Sequence, residues 1–319
     1  MNKPPFESKF LHPRFWLTWL GLGLWRAILI LPFPILLWLG RLLGRLMYRV
    51  GHERRAIAEC NLELCFPQMT ATERTTLVKE NFSSYGMAFF EVGMAWWWSD
   101  KRFFRLIQIE GVEHLMQLQQ KGKGALLMAI HFTTLEVGAS ALSDRFSIDG
   151  MYRPHKNAVY DYVQARGRLS RSTGDSVVYP RKDVRGMFRA LRQGRIIWYA
   201  PDQDYGPKQS VFASFFGVPA ASVTATARFA RMGDAAVVPF TQIRLPGSQG
   251  YRVTVHPPLE NFPAGDDVAD AETINRYVES YISECPQQYM WVHRRFKTRP
   301  PGAEPVYPAK VKKRKKNRL

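Results

Sequence analysis

Two patterns of apolar and polar positions, one typical of strands and one of helices, alternate along the central part of the chain. Apolar runs of about four to eight residues are typical of buried strands, and six segments fit that pattern: Ala125–Ile130, Ser147–Met151, Ser176–Tyr179, Arg195–Ala200, Ala235–Phe240 and Tyr251–Val255. Helical spacing occupies the stretches between them: 133–143, 157–168, 183–193, 222–232 and, last, 271–284. Such alternation predicts an α/β fold with a mostly parallel central sheet flanked by helices.

A long apolar segment precedes these elements, from residue 15 to residue 40, with Arg26 as its one charge. At about 1.5 Å per residue, a helix of this length would cross a hydrocarbon core of about 30 Å. We therefore expect an N-terminal hydrophobic membrane-anchor helix. Because a charge at the bilayer centre costs about 2.5–3.5 kcal/mol, a helix or broken hairpin that lies in one leaflet is the alternative. Four tryptophans suit the head-group interface in either case: Trp16, Trp19, Trp25 and Trp38.

Residues 70–98 form a predicted long amphipathic helix whose second half is rich in aromatic residues. These side chains either pack in the core or provide an apolar wall for an acyl chain or a second membrane contact.

The formal net charge of +18 is concentrated at the two ends of the chain. Residues 1–60 hold nine lysines and arginines against three acids, and residues 297–319 hold nine against one. Basic charge in these places suits anionic lipid head groups or nucleic acid, and the alternative for Val311–Leu319 is a solvated tail. The arginines from Arg41 to Arg55 indicate, by the positive-inside rule, that the rest of the chain lies in the cytosol.

The motif content excludes several classes of enzyme. The three cysteines, Cys60, Cys65 and Cys285, form neither an even set nor a close metal-type pair, which suits a reducing compartment. The chain contains no Gly-x-Ser-x-Gly nucleophile elbow, no P-loop, no dinucleotide fingerprint and no His-Glu-x-x-His zinc motif. The remaining histidines are scattered, so we predict no metal site and no cofactor.

His131 stands directly after the apolar run that begins at Gly124, and Glu136 follows five residues later. In open α/β sheets ligands bind beyond the carboxyl ends of the strands, so His131 lies where a catalytic group is expected. Glu136 could hold one ring nitrogen and raise the basicity of the other, which would make His131 a general base. The alternative is structural: a core histidine with its hydrogen bonds satisfied, and a glutamate that completes a Thr-Thr-Leu-Glu capping box.

Further charged groups follow two other predicted strands at the same edge of the sheet. Arg153 comes in Tyr-Arg-Pro, and Asp202 and Asp204 come in Pro-Asp-Gln-Asp-Tyr-Gly. A fixed arginine there could face a phosphate or a developing oxyanion, or it could form an ordinary surface ion pair.

Together these motifs resemble the bacterial late lipid A acyltransferases, part of the wider His-x4-Asp/Glu acyltransferase superfamily. The resemblance extends from His-Pro-Arg-Phe-Trp at 12–16 to Lys-Thr-Arg-Pro at 297–300, and so covers nearly the whole chain. His-Phe-Thr-Thr-Leu-Glu at 131–136 and Asn-Leu-Glu-Leu-Cys-Phe-Pro at 61–67 resemble the lauroyl- and palmitoleoyl-transferring branch more than the myristoyl-transferring one. The basic tail after Tyr307 departs from the family pattern.

The resemblance implies a glycerol-3-phosphate-acyltransferase-like fold with an anchor at 1–45, an acyltransferase domain at 46–300 and a basic tail at 301–319. It implies transfer of a lauroyl-type chain from acyl carrier protein to a hydroxyl of a 3-hydroxyacyl chain on Kdo-lipid IVA. The reaction would take place at the cytoplasmic face of the bacterial inner membrane, with anionic lipids as further partners and no nucleic acid.

The resemblance also implies roles for the candidate residues. His131 would be the base that activates the acceptor hydroxyl, and Glu136 would orient it. Arg153 would stabilise negative charge, while Asp202 and Asp204 would shape the substrate site.

Two other functions fit the same residues. One is a different reaction of the superfamily, acylation of glycerol phosphate or a lysophospholipid, which product formation from glycerol phosphate would reveal. The other is a membrane-tethered binding protein whose basic tail holds nucleic acid or anionic lipid and whose His131–Glu136 pair is structural. In that case, deletion of Val311–Leu319 would abolish function.

Overall fold

The computed structural model describes residues 4–152, 154–172, 175–180 and 183–308. Its helices, α1 to α11 in chain order, are Trp16–Ile28, Phe33–Val50, His52–Cys65, Ala71–Trp97, Asp100–Phe104, Val112–Gln120, Leu135–Leu142, Ala158–Arg168, Val184–Arg192, Ala225–Gly233 and Asp267–Glu284. Its strands, β1 to β9, are Ile107–Glu110, Gly124–Ala129, Ile148–Tyr152, Val178–Pro180, Ile196–Tyr199, Ser210–Phe215, Val218–Val223, Ala235–Arg244 and Tyr251–Val255.

Seven strands form one sheet in the order β1-β9-β8-β2-β5-β3-β4. Only the β8–β9 pair among these neighbours is antiparallel, so the predicted α/β fold with a mostly parallel sheet is confirmed. β2 is the central strand, and all six of its residues are buried. Its neighbours β5 and β8 are both parallel to it. The carboxyl end of β2 therefore lies between the end of β5 and the middle of β8, which continues to Arg244.

The antiparallel hairpin of β6 and β7 lies outside this sheet and was not predicted from the sequence. Its strands meet at Phe216 and Gly217, which have φ values of 49° and 76°. Two positive φ values are what a tight hairpin turn requires, but the first of them usually belongs to Asn, Asp or Gly. A phenylalanine at that position hides the turn from sequence rules.

The apolar segment at 15–40 forms two helices, so the expected single membrane-anchor helix is wrong. α1 ends at Ile28 and α2 begins at Phe33, with Pro32 as its N-cap and Pro34 in its first turn. Proline lacks the backbone N–H that would continue α1, and it is well tolerated where a new helix begins. Among the described residues, no helix has both the length and the apolar character needed to cross a membrane.

Glycines set the closest approach between α2 and α4. A Cβ on Gly86 of α4 would overlap the backbone of Gly40 and Gly44 in α2. The absence of side chains there allows the two backbones to pack in direct contact. The crossing buries Leu36 and Leu37 of α2 completely or almost completely.

A buried ion pair joins α4 to the antiparallel side of the sheet. Arg244 Nε on β8 lies 2.5 Å from Glu91 Oε1 on α4, and both residues are buried. Tyr251 donates its hydroxyl to the same carboxylate at 2.7 Å, and Arg244 also donates to Ser84 Oγ at 2.9 Å. Loss of one partner of such a pair costs about 3–5 kcal/mol. The pair therefore fixes the position of α4 on the sheet.

Candidate active site

His131 lies just beyond the carboxyl end of β2, in a loop that a C-terminal segment holds in place. Met290 donates its backbone N–H to the carbonyl of His131 at 3.0 Å. The next residue, Phe132, forms an antiparallel bridge with Tyr289. Because these contacts are made by the main chain, they fix the backbone of His131 independently of its side chain.

Asp202, which follows β5, binds His131 twice. One carboxylate oxygen lies 2.6 Å from Nδ1 of the imidazole, and the other accepts the backbone N–H of His131 at 3.0 Å. The Asp202 side chain is fully buried, whereas the His131 side chain keeps 16% of its surface exposed. The parallel pairing of β2 and β5 brings these two residues to one edge of the sheet.

This geometry makes Nε2 of His131 the basic atom of the site. An ionised carboxylate can only accept hydrogen bonds, so Nδ1 carries the proton and Nε2 keeps its lone pair. Burial opposes a positive charge on the ring, but the attraction of Asp202 outweighs it and raises the pKa of His131. Burial likewise opposes the ionised Asp202, and the pKa of that carboxyl is nevertheless lowered by His131 and its hydrogen bonds.

The structure differs from the expectation that Glu136 holds the imidazole, because Nδ1 is bound to Asp202. Glu136 lies in the first turn of α7, and its carboxylate contacts Arg168 on α8 and Trp96 on α4. The capping box that was the structural alternative for Glu136 is also absent from α7. Its N-cap, Thr134, makes no side-chain cap and donates its hydroxyl to the carbonyl of Gln242 at 2.7 Å instead.

Arg168 is a residue of the site that was not predicted. Its Nε donates to both oxygens of Glu136, at 2.9 and 3.2 Å, and its NH2 group contacts the same carboxylate. Trp96 Nε1 donates to Glu136 Oε2 at 3.0 Å. In the sequence Arg168 is one of several basic residues of an exposed-looking helix, so no local pattern distinguishes it. Its role becomes visible only when α8 packs beside α7.

Of the two remaining candidate residues, the structure describes Asp204 but not Arg153. Arg153 lies outside the described residues, so its assignment stays a prediction. Asp204 accepts the backbone N–H of Thr298 at 2.6 Å and its hydroxyl at 2.9 Å, and also the N–H of Gly206 at 2.8 Å. It therefore ties the loop after β5 to the C-terminal segment.

A cavity of about 420 Å³ opens beside His131. Glu136 and Arg168 also line it, which brings the imidazole and an arginine–carboxylate pair to one space. The rest of the lining is largely apolar and includes Leu135, Ala139, Ile148, Met151, Leu169, Val178, Trp198 and Ala200. Such a cavity suits a substrate with a hydrocarbon chain and a polar group near its reacting end.

Among the described residues, no group of three or more His, Cys, Asp or Glu is placed to hold a metal ion.

A carboxylate-held histidine at an apolar cavity suits general-base transfer of an acyl group to a hydroxyl. The family model described as bacterial lipid A biosynthesis acyltransferase matches residues 3–298, and the chain belongs to this family. The chain is thus an acyltransferase enzyme of the late lipid A branch.

Similarity to individual proteins extends over almost the full length. The chain is 44% identical to the lipid A biosynthesis lauroyltransferase of Escherichia coli, over 96% of this chain and 99% of that protein. It is 40% identical to the palmitoleoyltransferase of the same organism, over 95% and 98%. Identity to the E. coli myristoyltransferase is 29%, over 96% and 95%. A solved 1-acyl-sn-glycerophosphate acyltransferase from Thermotoga maritima aligns with a TM-score of 0.37 at 11% identity, covering 80% of this chain and 98% of that one.

Proposed function

We propose that this enzyme transfers a lauroyl-type chain from acyl carrier protein to the hydroxyl of a 3-hydroxyacyl chain on Kdo-lipid IVA. The observation that carries the proposal is the His131–Asp202 pair, with Nε2 of the imidazole beside an apolar cavity. The similarity to lipid A lauroyl- and palmitoleoyltransferases supports the choice of substrate class.

In this mechanism His131 is the general base. Nε2 accepts the proton of the acceptor hydroxyl while the hydroxyl oxygen attacks the thioester carbonyl. The tetrahedral intermediate then collapses, the C–S bond breaks, and the proton on Nε2 passes to the departing thiolate. Asp202 holds the tautomer and stabilises the imidazolium that forms between the two steps. The products are an ester and the free thiol of the carrier, so protons and electrons balance.

Glu136 acts in this account through Arg168. The carboxylate fixes the guanidinium at the wall of the cavity, where its positive charge can stabilise the developing oxyanion or a phosphate of the acceptor. In this proposal Glu136 therefore remains part of the site, as the residue that positions Arg168. In this proposal Arg168 supplies the fixed positive charge that the sequence led us to expect from Arg153.

The membrane contact of this proposal is the exposed apolar surface of α1 and α2. Leu17 is 83% exposed and Ile30 is 77% exposed, and others on the same two helices and the turn between them are Trp16, Leu20, Leu24, Ile35, Trp38, Leu42 and Leu46. A large continuous apolar surface of this kind usually marks an interface with a partner or a membrane. We place it in the interfacial layer of the inner membrane at the cytoplasmic face.

The decisive experiment gives purified enzyme a mixture of lauroyl, myristoyl and palmitoleoyl carrier proteins with either Kdo-lipid IVA or glycerol 3-phosphate. Mass spectrometry of the lipid products should show one added lauroyl-type chain on Kdo-lipid IVA. Efficient product from glycerol 3-phosphate would support the alternative reaction of the superfamily instead. A His131→Ala variant that is folded but gives no product is the required control, and full activity in that variant would refute the mechanism.

A further inference from the structure

A larger cleft, of about 800 Å³, lies between α2, α4 and the turn that follows β8. It shares no lining residue with the catalytic cavity. Ser83, at this cleft, and Trp96, at Glu136, are separated by about 20 Å along α4 at 1.5 Å per residue. The cleft is therefore a separate feature of the molecule, and the proposed mechanism makes no use of it.

Positive charge dominates this cleft. Arg41, Arg45 and Arg49 follow one another at intervals of four residues on α2, and Lys79 faces them from α4. All four are exposed, and within the part of the chain that the structure describes none of them forms an ion pair. Glu80 is the one acid among the described residues of the lining. Charges left unbalanced in a concave site focus a positive potential that attracts an anion.

An apolar strip runs along α2 beside the arginines. Leu42 precedes Arg45 by three residues and Leu46 precedes Arg49 by three, which on a helix places the apolar and basic strips side by side. Trp38 extends the strip by another turn and is 55% exposed. The lining of the cleft itself also includes apolar side chains, namely Tyr48, Met87, Leu245 and Pro246. A ligand that satisfies this surface must carry an anionic group next to hydrocarbon.

We propose that this cleft binds the phosphate head group of an anionic membrane phospholipid, while Trp38, Leu42 and Leu46 contact its acyl region. The inference rests on the membrane contact proposed above and adds a specific head-group site to it. An acidic protein surface would match the arginines, but it would leave the adjoining apolar strip without a partner. A phospholipid in a bilayer satisfies both strips at once.

The test measures binding of the full-length protein to vesicles of phosphatidylcholine with and without phosphatidylglycerol. The cleft variant is Arg41→Gln/Arg45→Gln/Lys79→Gln. Its matched control is Arg185→Gln/Arg189→Gln/Arg276→Gln, which removes the same charge from exposed residues that do not line the cleft. We expect the cleft variant to lose affinity for the anionic vesicles on the order of 10- to 100-fold. The control should bind nearly as the wild type does.

Equal loss in both variants would show general attraction and overturn the head-group site. Loss of binding to acyl carrier protein, with vesicle binding unchanged, would assign the cleft to an acidic protein and also overturn it. A Trp38→Ser/Leu42→Ser variant separates this proposal from the membrane contact itself, because it should weaken binding to both kinds of vesicle. If the wild type binds neither kind, the membrane contact fails. If it binds both equally well, only the head-group site fails.

Discussion

In the proposed mechanism, Nε2 of His131 is the atom that accepts the proton of the acceptor hydroxyl. No hydrogen-bond partner for it is found among the described residues, while Nδ1 and the backbone N–H are both occupied by Asp202. Nε2 is therefore the ring nitrogen that remains available as a base for the acceptor hydroxyl. It also makes the protonation of His131 sensitive to Asp202 and largely independent of Glu136.

Glu136 and Arg168 should behave as one unit in kinetic experiments. Either Glu136→Gln or Arg168→Ala should lower kcat by about 10²- to 10³-fold, the usual loss when one stabilising charge leaves a developing oxyanion. The double variant should be little worse than the poorer single variant, because both changes remove the same positioned guanidinium. Steady-state kinetics on the four enzymes measures this coupling, and fully additive losses would show that the two residues act separately.

The sequence paired His131 with Glu136, whereas in the structure the carboxylate bound to Nδ1 of His131 is that of Asp202. Glu136 lies five residues away, so local spacing favours it, whereas Asp202 reaches His131 only through the parallel pairing of β2 with β5. Sheet order cannot be read from periodicity. For the same reason Arg168 was missed, since the contact between α7 and α8 that gives it a role is made by tertiary packing.

At the scale of elements, the crossing of α2 over α4 should be the most sensitive contact of the N-terminal region. Gly86→Val would place a side chain where the backbone of α2 lies, and we expect it to lower the free energy of unfolding by about 1–3 kcal/mol. Gly23→Val is the matched control on α1, where a Cβ meets no atom within 4 Å. Chemical denaturation of both variants gives the comparison, and equal stability would contradict the tight crossing.

Periodicity predicted most of the central elements because most of their apolar runs lie in the core, although Val177 and Val178 are exposed. Ala125–Ile130, for example, is completely or almost completely buried, so its composition reports its structure directly. The short strand β1 alternates half-buried and exposed positions over only four residues, which gives too little pattern to recognise. Pro32 and Pro34 signal the division of residues 15–40 into two helices, but a prediction based on hydropathy alone takes no account of proline. The boundaries at 45 and 300 stay a prediction.

For the whole molecule, two half-buried histidines should make stability fall in mild acid. Burial lowers the pKa of His256 to about 4, and it also lowers the pKa of His293 to about 4. Because an unfolded histidine has a pKa of about 6.5, the unfolded chain binds more protons between these values and stability decreases as the pH falls from 6.5 to 4. The raised pKa of His131 has the opposite effect on stability. Its stabilising contribution is fully present below a pH of about 6.5, the pKa of an unfolded histidine, and is lost as the pH rises through the higher pKa of the folded state.

A His256→Gln variant should therefore show a smaller loss of unfolding free energy between pH 6.5 and pH 4 than the wild type. Urea denaturation at a series of pH values measures that difference in slope. Identical slopes would mean that His256 is not held neutral by burial.

The basic tail is the part of the chain for which the enzyme and binding hypotheses differ most. Val311–Leu319 lies outside the described residues, whereas the His131–Asp202 pair and the segment that supports it lie between residues 131 and 291. Deletion of the tail should leave acyl transfer in detergent micelles intact. Collapse of turnover on deletion would favour a protein that works through its tail.

The pH dependence of kcat/KM in Asp202→Asn, with Glu136→Gln as control, tests most directly which carboxylate supports the base. In the wild type, activity should fall below the raised pKa of His131, since the base must be neutral to accept a proton. Asp202→Asn should lower kcat by about 10²- to 10⁴-fold. It should also move this acid limb to lower pH, because the ring stays buried but loses the carboxylate that raised its pKa. Glu136→Gln should lose activity with the limb unmoved. A limb that shifts in Glu136→Gln and stays in place in Asp202→Asn would contradict the account.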